Sequence, residues 1–235
     1  MKATADQKTQ TAPALALFDI DGTLTRRAGP HHRQALIEAI RATTGLRTTT
    51  DAIPLYGMLD PVIIAEMLRR AGAPEPQIRE AMAKVVARAQ EIYVRECPNL
   101  ERKTCPGVRR ALAQLEQRGV AMGLVTGNLT EIGWKKMERA GLKRYFRFGA
   151  FGEMAENRAG LVRLAVEEAQ RRRWIGGEAP VTFIGDAPND ILAAQTAGVR
   201  SIAVATGVVP VEELRAYSPD FLLEDLRGLR VEMVL

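Results

Sequence analysis

The sequence predicts an α/β fold in which helices cover a parallel sheet and one helical insertion interrupts it. Four short apolar runs, at residues 15–20, 120–128, 181–186 and 200–207, predict buried strands. Stretches with apolar residues at helical spacing separate most of these runs. Strands that alternate with helices are typical of a parallel sheet with both faces covered.

Each element follows from the composition of its segment. The first run, LALFDI at 15–20, ends in acids and a glycine, which predicts a buried strand followed by a turn. Residues 220–223 predict an additional edge strand. Amphipathic spacing predicts three helices that flank the sheet, at Val108 to Arg118, Leu161 to Arg171 and Asp190 to Ala197.

The interval between residues 26 and 103 breaks the alternation, because it contains helical patterns at 32–43, 60–71 and 76–95 and no buried strand. Nearly eighty residues are too many for a strand-to-helix loop, so this interval predicts an inserted helical domain. His31 and His32 stand near its start and are expected to be exposed, with a substrate contact as the alternative. The predicted division is a disordered polar tail at 1–13, a sheet domain at 14–25 and 104–235, and a helical domain at 26–103.

Composition argues against a disordered, a fibrous or a membrane-spanning protein. Hydrophobic residues make up 46% and charged residues 26% of the 235 residues, as in globular proteins. Neither a membrane-spanning run of about 20 apolar residues nor a secretory leader is evident, so we expect a cytoplasmic protein without a membrane partner. The two cysteines, Cys97 and Cys105, are expected to be reduced thiols.

The net charge of +5 does not by itself indicate a nucleic-acid partner. Positive charge is dispersed over the helices, and aromatic residues are only 5% of the chain. A protein that binds single strands would interleave basic grooves with aromatic platforms. We therefore expect no nucleic-acid partner, and the sequence does not predict an oligomeric state.

Two pairs of acids follow predicted strands. Asp19 and Asp21 close the first run, and Asp186 and Asp190 follow the third. Ligands bind at the carboxyl ends of strands in such sheets, and residues i and i+2 of an extended chain face the same way. Four carboxylates at one point need a cation, and hard oxygen ligands suit Mg²⁺. The alternative, that each Asp caps a helix or a turn, is common for a lone Asp.

Three motifs in this order, FDIDGTLT, VTGN and GDAPND, resemble those of the haloacid dehalogenase superfamily. The resemblance covers residues 14 to 228. The insertion, with GMLDP at 57–61, resembles the helical cap of the subgroup that includes phosphoglycolate phosphatases and β-phosphoglucomutase. The resemblance implies a Rossmann-like catalytic core with an inserted α-helical cap at 26–103.

The resemblance also assigns roles to the acids. It implies that Asp19 is the nucleophile that forms an aspartyl-phosphate, which suits a carboxylate already ionised near pH 7. It implies that Asp21 is the general acid and base, with its main-chain carbonyl on Mg²⁺. Asp186 is then a direct Mg²⁺ ligand. Asp190 binds the ion through water or orients a cationic side chain.

The remaining motif residues are expected to contact the phosphoryl group. The resemblance implies that the Thr126 hydroxyl donates a hydrogen bond to it, while Gly127 and Asn128 offer backbone N–H groups. Gly22 lets the backbone turn sharply beside the phosphate. The sequence TGN alone is equally compatible with a plain strand-to-helix turn.

The cation that family members supply from a Lys-Pro pair has no direct counterpart, because the chain contains no Lys-Pro pair. Lys136, on the helix expected after Thr126, and Arg158, near the usual place, are the candidates. Either could neutralise the nucleophile and the phosphate electrostatically. Lys136 is the first candidate and Arg158 the second.

Together these features predict a Mg²⁺-dependent phosphatase for a small phosphorylated metabolite. Asp21 argues against two other classes of the superfamily, the carboxylate dehalogenases and the phosphonate hydrolases, because both differ at this second aspartate of the first motif. A phosphomutase of the β-phosphoglucomutase type is the alternative enzyme. A binding module that has lost turnover is the alternative from another class, although all four acids are intact.

Overall fold

The computed structural model describes residues 11–26, 29–51 and 53–235, and its centre is a six-stranded parallel sheet. The strand order is β3-β2-β1-β4-β5-β6, so the fold class predicted from the sequence is confirmed. The strands are β1 Leu15–Phe18, β2 Ala121–Val125, β3 Phe148–Ala150, β4 Val181–Gly185, β5 Arg200–Val204 and β6 Phe221–Leu223.

Helices α4 to α8 connect these strands, whereas α1 to α3 lie within the insertion. The insertion helices are α1 His31–Thr44, α2 Asp60–Arg70 and α3 Glu75–Glu96. The others are α4 Val108–Gln117, α5 Thr130–Arg139, α6 Arg158–Arg171, α7 Pro188–Ala197 and α8 Val211–Ala216. None of the helices in the described part of the chain is long and apolar enough to cross a bilayer.

The first strand occupies the middle of the sheet and is buried along its whole length. Leu17 of β1 is in register with Gly123 of β2 on one side and with Phe183 of β4 on the other. The later strands are therefore added on both sides of β1, with β2 and β3 on one side and β4, β5 and β6 on the other. The loops after β1, β2 and β4 meet where the strand order reverses, which is where open parallel sheets bind ligands.

Several elements differ from the prediction, among them strand β3 and the start of helix α6. The three-residue strand β3 was missed, because FGA is too short to show a period and its middle residue is half-buried. Helix α6 begins at Arg158, three residues before the predicted start. The Asn157 side chain accepts a hydrogen bond from the Gly160 N–H, so this residue caps the helix, a signal that the sequence contained.

The insertion forms a helical layer of its own. Within residues 29–51 and 53–103 the structure describes helices and no strand. Ile40 of α1, Val85 and Tyr93 of α3 and Ile64 of α2 are fully buried where these helices pack together. The boundaries between core and cap stay a prediction. Most of the predicted tail lies outside the described residues, but the Ala12 N–H donates to the Trp174 carbonyl at 2.7 Å.

Candidate active site

A cavity of about 510 Å³ lies between the carboxyl ends of the strands and the insertion. Helical residues of the insertion, including His32 and Asp60, form its other wall. All ten site residues expected from the sequence line this cavity: Asp19, Asp21, Gly22, Thr126, Gly127, Asn128, Lys136, Arg158, Asp186 and Asp190.

One side of the cavity is a cluster of three buried carboxylates. The cluster contains Asp19, Asp186 and Asp190, and one carboxylate oxygen of each lies within 4.8 Å of one oxygen of the other two. Arg158, at the first position of α6 and only 8% exposed, forms ion pairs with Asp19 through Nη2 and with Asp190 through Nε. The guanidinium therefore bridges the expected nucleophile and the acid of the third motif.

Two carboxylates of this cluster, Asp19 and Asp186, have raised pKa values, which corrects the expectation that Asp19 is fully ionised near pH 7 without a bound cation. Burial raises the pKa of Asp19 to about 7; Arg158 counteracts the shift, whereas Asp190 and Asp21 add to it. Burial, together with the charges of Asp19 and Asp190, also raises the pKa of Asp186. Buried oxygen ligands that repel one another fit a divalent cation, which would favour their ionised forms.

The loop after β1 reaches this cluster because residue 22 is a glycine. Its φ is +96°, in the left-handed region, and a Cβ atom there would lie 2.1 Å from Oδ2 of Asp186. A side chain at this position would push into the carboxylate. The next residue, Thr23, is buried and donates from its hydroxyl to Oδ1 of Asp186 at 3.1 Å, which fixes that carboxylate.

The opposite side of the cavity holds Asp21. Its Oδ2 lies 2.5 Å from Nζ of Lys136 and accepts a hydrogen bond from Nδ2 of Asn128 at 2.9 Å. Burial alone raises the pKa of Asp21, but the Lys136 charge and the hydrogen bonds from Lys136 and Asn128 outweigh it and lower the pKa. Asp19 and Asp21 therefore meet different cations.

Three of the four expected carboxylates have oxygens within 4.8 Å of one another, and the fourth, Asp21, lines the same cavity. The strand ends at Phe18 and the chain bends at Ile20, so the i and i+2 side chains no longer share a face. Among the described residues the cluster with metal-binding spacing contains Asp19, Asp186 and Asp190, while Asp21 turns to Lys136.

In the TGN segment after β2, the side chain of Asn128 takes part in the site, whereas the sequence predicted only a backbone N–H group from this residue. Oγ1 of the buried Thr126 accepts a hydrogen bond from Nδ2 of Asn128 at 2.7 Å, so this contact does not use the hydroxyl hydrogen. Oδ1 of Asn128 accepts from Lys136 at 2.5 Å. Asn128 thus connects Thr126, Asp21 and Lys136. Gly127 meets the insertion, since a Cβ atom there would lie 2.1 Å from the carbonyl oxygen of Met58.

Two residues of the insertion complete the site and were missed. The His32 side chain is 23% exposed and lines the cavity, so it is less exposed than expected, and the alternative of a substrate contact stays a prediction. Nδ1 lies 3.3 Å from Nζ of Lys136, and Nε2 lies 2.9 Å from Oδ2 of Asp60. The LDP sequence around Asp60 indicates a helix start, which is where Asp60 lies. Nothing in it indicated that the helix start would turn toward α5.

Most of the chain matches one known protein family. The family model of haloacid dehalogenase-like hydrolases matches residues 13–198. The chain belongs to this family. The predicted resemblance is confirmed, and so is the predicted enzyme class, a phosphoric monoester hydrolase.

Curated relatives of this haloacid dehalogenase-like hydrolase match along most of its length. It is 31% identical over 231 residues to a phosphoglycolate phosphatase of Agrobacterium fabrum, covering 92% of this chain and 90% of the relative. A phosphoglycolate phosphatase of Vibrio parahaemolyticus is 28% identical over 227 residues, covering 94% and 96%.

Solved structures share the fold. CbbY of Rhodobacter sphaeroides, in complex with xylulose-(1,5)bisphosphate, has a TM-score of 0.71 at 20% identity, covering 94% of this chain and 99% of that one. A β-phosphoglucomutase of Clostridium difficile has a TM-score of 0.68 at 16% identity, covering 94% and 95%. At these identities the likeness supports the fold alone.

Proposed function

We propose that this enzyme is a Mg²⁺-dependent phosphatase that hydrolyses a small phosphomonoester through an aspartyl-phosphate on Asp19. The observation that carries the proposal is the bridging of Asp19 and Asp190 by Arg158 beside a third carboxylate, Asp186. A carboxylate nucleophile, a fixed cation and a metal-binding acid cluster are what phosphoryl transfer needs, since catalysis there is chiefly positioning and charge neutralisation.

In the first step, a carboxylate oxygen of Asp19 attacks phosphorus, and the bond from phosphorus to the ester oxygen breaks. Asp21, two residues along the same loop, has a lowered pKa that favours its ionised form, so it first takes up a proton from the monoanionic phosphate group of the substrate. It then gives that proton to the departing ester oxygen, which leaves as an alcohol. Arg158 offsets the repulsion between the Asp19 carboxylate and the phosphate. The Thr126 hydroxyl is available to donate to a phosphoryl oxygen.

In the second step, water attacks the aspartyl-phosphate and the bond between phosphorus and the Asp19 oxygen breaks. Asp21, now ionised, accepts a proton from the water, and inorganic phosphate is released. Lys136, at 2.5 Å from Asp21, favours this ionised form. Asp21 therefore alternates between acid and base, and Lys136 and Asn128 hold it in place for both steps.

The metal site of this proposal consists of Asp19, Asp186 and Asp190, with the main-chain carbonyl of Asp21. These groups fit a hard divalent cation such as Mg²⁺ because every donor is oxygen and the side-chain carboxylates are buried. A bound cation there would stabilise the negative charge of the transferring phosphoryl group.

For the substrate we propose a phosphorylated small carboxylic acid, with phosphoglycolate as the first candidate. Two relatives named phosphoglycolate phosphatase match over more than nine-tenths of this chain. The cavity of about 510 Å³ is of the size that binds small ligands. Arg26 and Arg33 also line it, so a second anionic group beyond the phosphate would meet positive charge.

The test uses the intact enzyme with phosphoglycolate and with p-nitrophenyl phosphate, in Mg²⁺ and in EDTA. We expect phosphate release that requires the metal and a phosphoenzyme that is trapped on Asp19. The isosteric change Asp19→Asn removes the nucleophile and is expected to abolish release of phosphate. Activity above about a tenth of the wild-type value, a barrier change of only ~1.4 kcal/mol, would refute the nucleophile assignment.

The mutase alternative is separated by its products. Mutases of the β-phosphoglucomutase type also have an aspartate at the position of Asp21, and this chain shares its fold with one such enzyme. A mutase therefore stays the alternative. A mutase would convert glucose 1-phosphate to an isomeric sugar phosphate without net phosphate release. A phosphatase releases inorganic phosphate, and a silent binding module does neither.

A further inference from the structure

The start of helix α5 is completed by side chains from outside that helix. The first N–H groups of a helix have no partner within it, and Leu129, which precedes the helix, cannot cap it with its own side chain. The N–H groups of Leu129, Thr130 and Glu131 donate instead to the side chains of Asp60, Glu153 and Gln90, at 2.9, 2.9 and 2.8 Å.

Asp60 is the most deeply buried of these three acceptors, with a relative exposure of 2%. Its backbone N–H donates to the Gly127 carbonyl at 2.8 Å, so the start of α2 is attached to the loop after β2. Its Oδ2 accepts from both Leu129 N–H and the ring of His32. One carboxylate thus joins the insertion to the loop that leads into α5.

His32 extends this connection to Lys136. A lysine ammonium has three hydrogens to donate and no acceptor, so Nδ1 of His32, at 3.3 Å from Nζ, is the acceptor. Nε2 then carries the hydrogen and donates it to Asp60, at 2.9 Å. Asp60 therefore fixes the tautomer and orientation of His32, as carboxylates do for histidines in other sites.

Lys136 has a partner for each of its three hydrogens, namely Oδ2 of Asp21, Oδ1 of Asn128 and Nδ1 of His32. It lies two turns along α5 from Leu129, so a shift of the helix start would move its ammonium along with it. Asp60 therefore acts on Lys136 by two routes, through the helix start and through His32.

We propose that Asp60 is a positioning residue for acid and base catalysis, which holds Lys136 against Asp21 while the insertion is seated on the core. This inference rests on the phosphatase function proposed above. Asp60 does not touch the reacting atoms; it acts through His32 and α5. Its loss should impair the step in which Asp21 gives a proton to the leaving group, more than binding or nucleophilic attack.

The leaving group provides the readout. An alkyl phosphate needs its ester oxygen protonated, whereas p-nitrophenolate leaves without that help. For Asp60→Asn, which keeps the shape and removes the charge, we expect kcat/KM for phosphoglycolate to fall about tenfold or more, part of the ~10²–10⁴ that general acid catalysis supplies. For p-nitrophenyl phosphate, kcat/KM should stay within about threefold of wild type, because its leaving group does not need a proton.

Gln90→Ala is the matched control, because it removes another side-chain cap from the start of α5 and leaves His32 bonded to Asp60. We expect the ratio of the two kcat/KM values to stay at the wild-type level. Equal losses on both substrates in Asp60→Asn would overturn the inference while the proposed function stands. A wild-type enzyme that hydrolyses neither substrate would instead refute the proposed function and this inference with it.

A pair of variants at His32 tests the route without altering Asp60. His32→Asn keeps an acceptor near the position of Nδ1, facing Lys136, and His32→Gln keeps a donor near the position of Nε2, facing Asp60. We expect His32→Asn to retain more of the activity on phosphoglycolate than His32→Gln. Equal loss in the two variants would overturn the proposed route through Nδ1. His31→Asn, at a neighbour outside the described lining of the cavity, should match wild type.

Discussion

Each side of the candidate active site pairs an aspartate with a buried cation, yet the pKa values of the two aspartates shift in opposite directions. Asp19 shares Arg158 with Asp190 and has Asp186 nearby, and burial raises its pKa to about 7. Asp21 has Lys136 and Asn128 to itself, and its pKa is lowered. The two aspartates thus differ because burial, with the charge of Asp190, outweighs Arg158 at Asp19. At Asp21 burial is outweighed by the charges of Lys136 and His32 and by the hydrogen bonds from Lys136 and Asn128.

The opposite pKa shifts indicate that the two sides of the site have different functions. The Asp19 side collects more negative charge than Arg158 neutralises, which suits the binding of a divalent cation and, with it, a phosphate. The Asp21 side is balanced, which suits a group that must pass a proton in both directions. Environments that push the pKa values of two titratable groups apart are typical of divided acid and base roles.

The largest expected effect concerns the cation on the nucleophile side. The sequence ranks Lys136 first, but the ion pair between Arg158 and Asp19 leads us to propose the reverse order for this role. Arg158→Ala should lower kcat by about 10²–10³, since a fixed charge facing the transition state is lost. Arg158→Lys should recover part of the activity, although an ammonium cannot bridge Asp19 and Asp190 as a guanidinium does. Steady-state kinetics at saturating Mg²⁺ checks both, and a near wild-type Arg158→Ala would contradict the comparison.

The second prediction concerns the metal. Asp186→Asn should raise the Mg²⁺ concentration for half-maximal activity by more than about tenfold, because it removes a charged ligand from the cluster. Asp21→Asn should lower kcat and leave the Mg²⁺ requirement close to wild type, since the Asp21 side chain faces Lys136 and its carbonyl is unchanged. Activity titrated against Mg²⁺ separates the two. An Asp186→Asn variant with an unchanged requirement would remove Asp186 from the metal site.

The third prediction uses the raised pKa of Asp19. Because the folded value is about 7 and the ordinary value is 3.8, the folded chain holds a proton there more tightly than the unfolded chain. The contribution of Asp19 to stability is therefore greatest below pH 4 and falls as the pH rises through 7. Mg²⁺ must displace that proton to bind. We expect Mg²⁺ to raise the unfolding temperature more at pH 8 than at pH 6, and an equal rise at both would contradict the account.

The smallest expected effect lies away from both carboxylates. Arg33→Ala should raise KM for phosphoglycolate several-fold, on the scale of an exposed charge interaction, and leave KM for p-nitrophenyl phosphate unchanged. Its kcat should match wild type because Arg33 lines the cavity outside the two carboxylate pairs. Equal KM changes on both substrates would argue against a second anionic group.

The sequence predicted the parts of the site that local patterns encode. Asp19, Asp21 and Asp186 could be found because they come within three residues of the end of a buried strand, and Asp190 because it belongs to the GDAPND motif that follows β4; the sheet brings these strand ends together. The partners of these acids could not be assigned. Whether Lys136 or Arg158 reaches Asp19 depends on how α5 and α6 lie against the sheet, which a helical period does not specify.

The contributions of the insertion were beyond sequence analysis for a related reason. Asp60 looks like an ordinary helix start and His32 like an exposed residue of an amphipathic helix. Their roles arise from contact between segments about 70 and 104 residues apart along the chain. Such contacts are set by the packing of the insertion on the core, so no local pattern indicates them.

The central claim, that Arg158 serves the nucleophile and Lys136 the acid and base, is tested most directly by the leaving group. The measurement is kcat/KM of Arg158→Ala and Lys136→Ala on phosphoglycolate and on p-nitrophenyl phosphate. The account predicts that Arg158→Ala lowers both values by a similar factor, whereas Lys136→Ala lowers the phosphoglycolate value at least about tenfold more than the other. Equal losses on both substrates in Lys136→Ala would contradict the division of roles between the two cations.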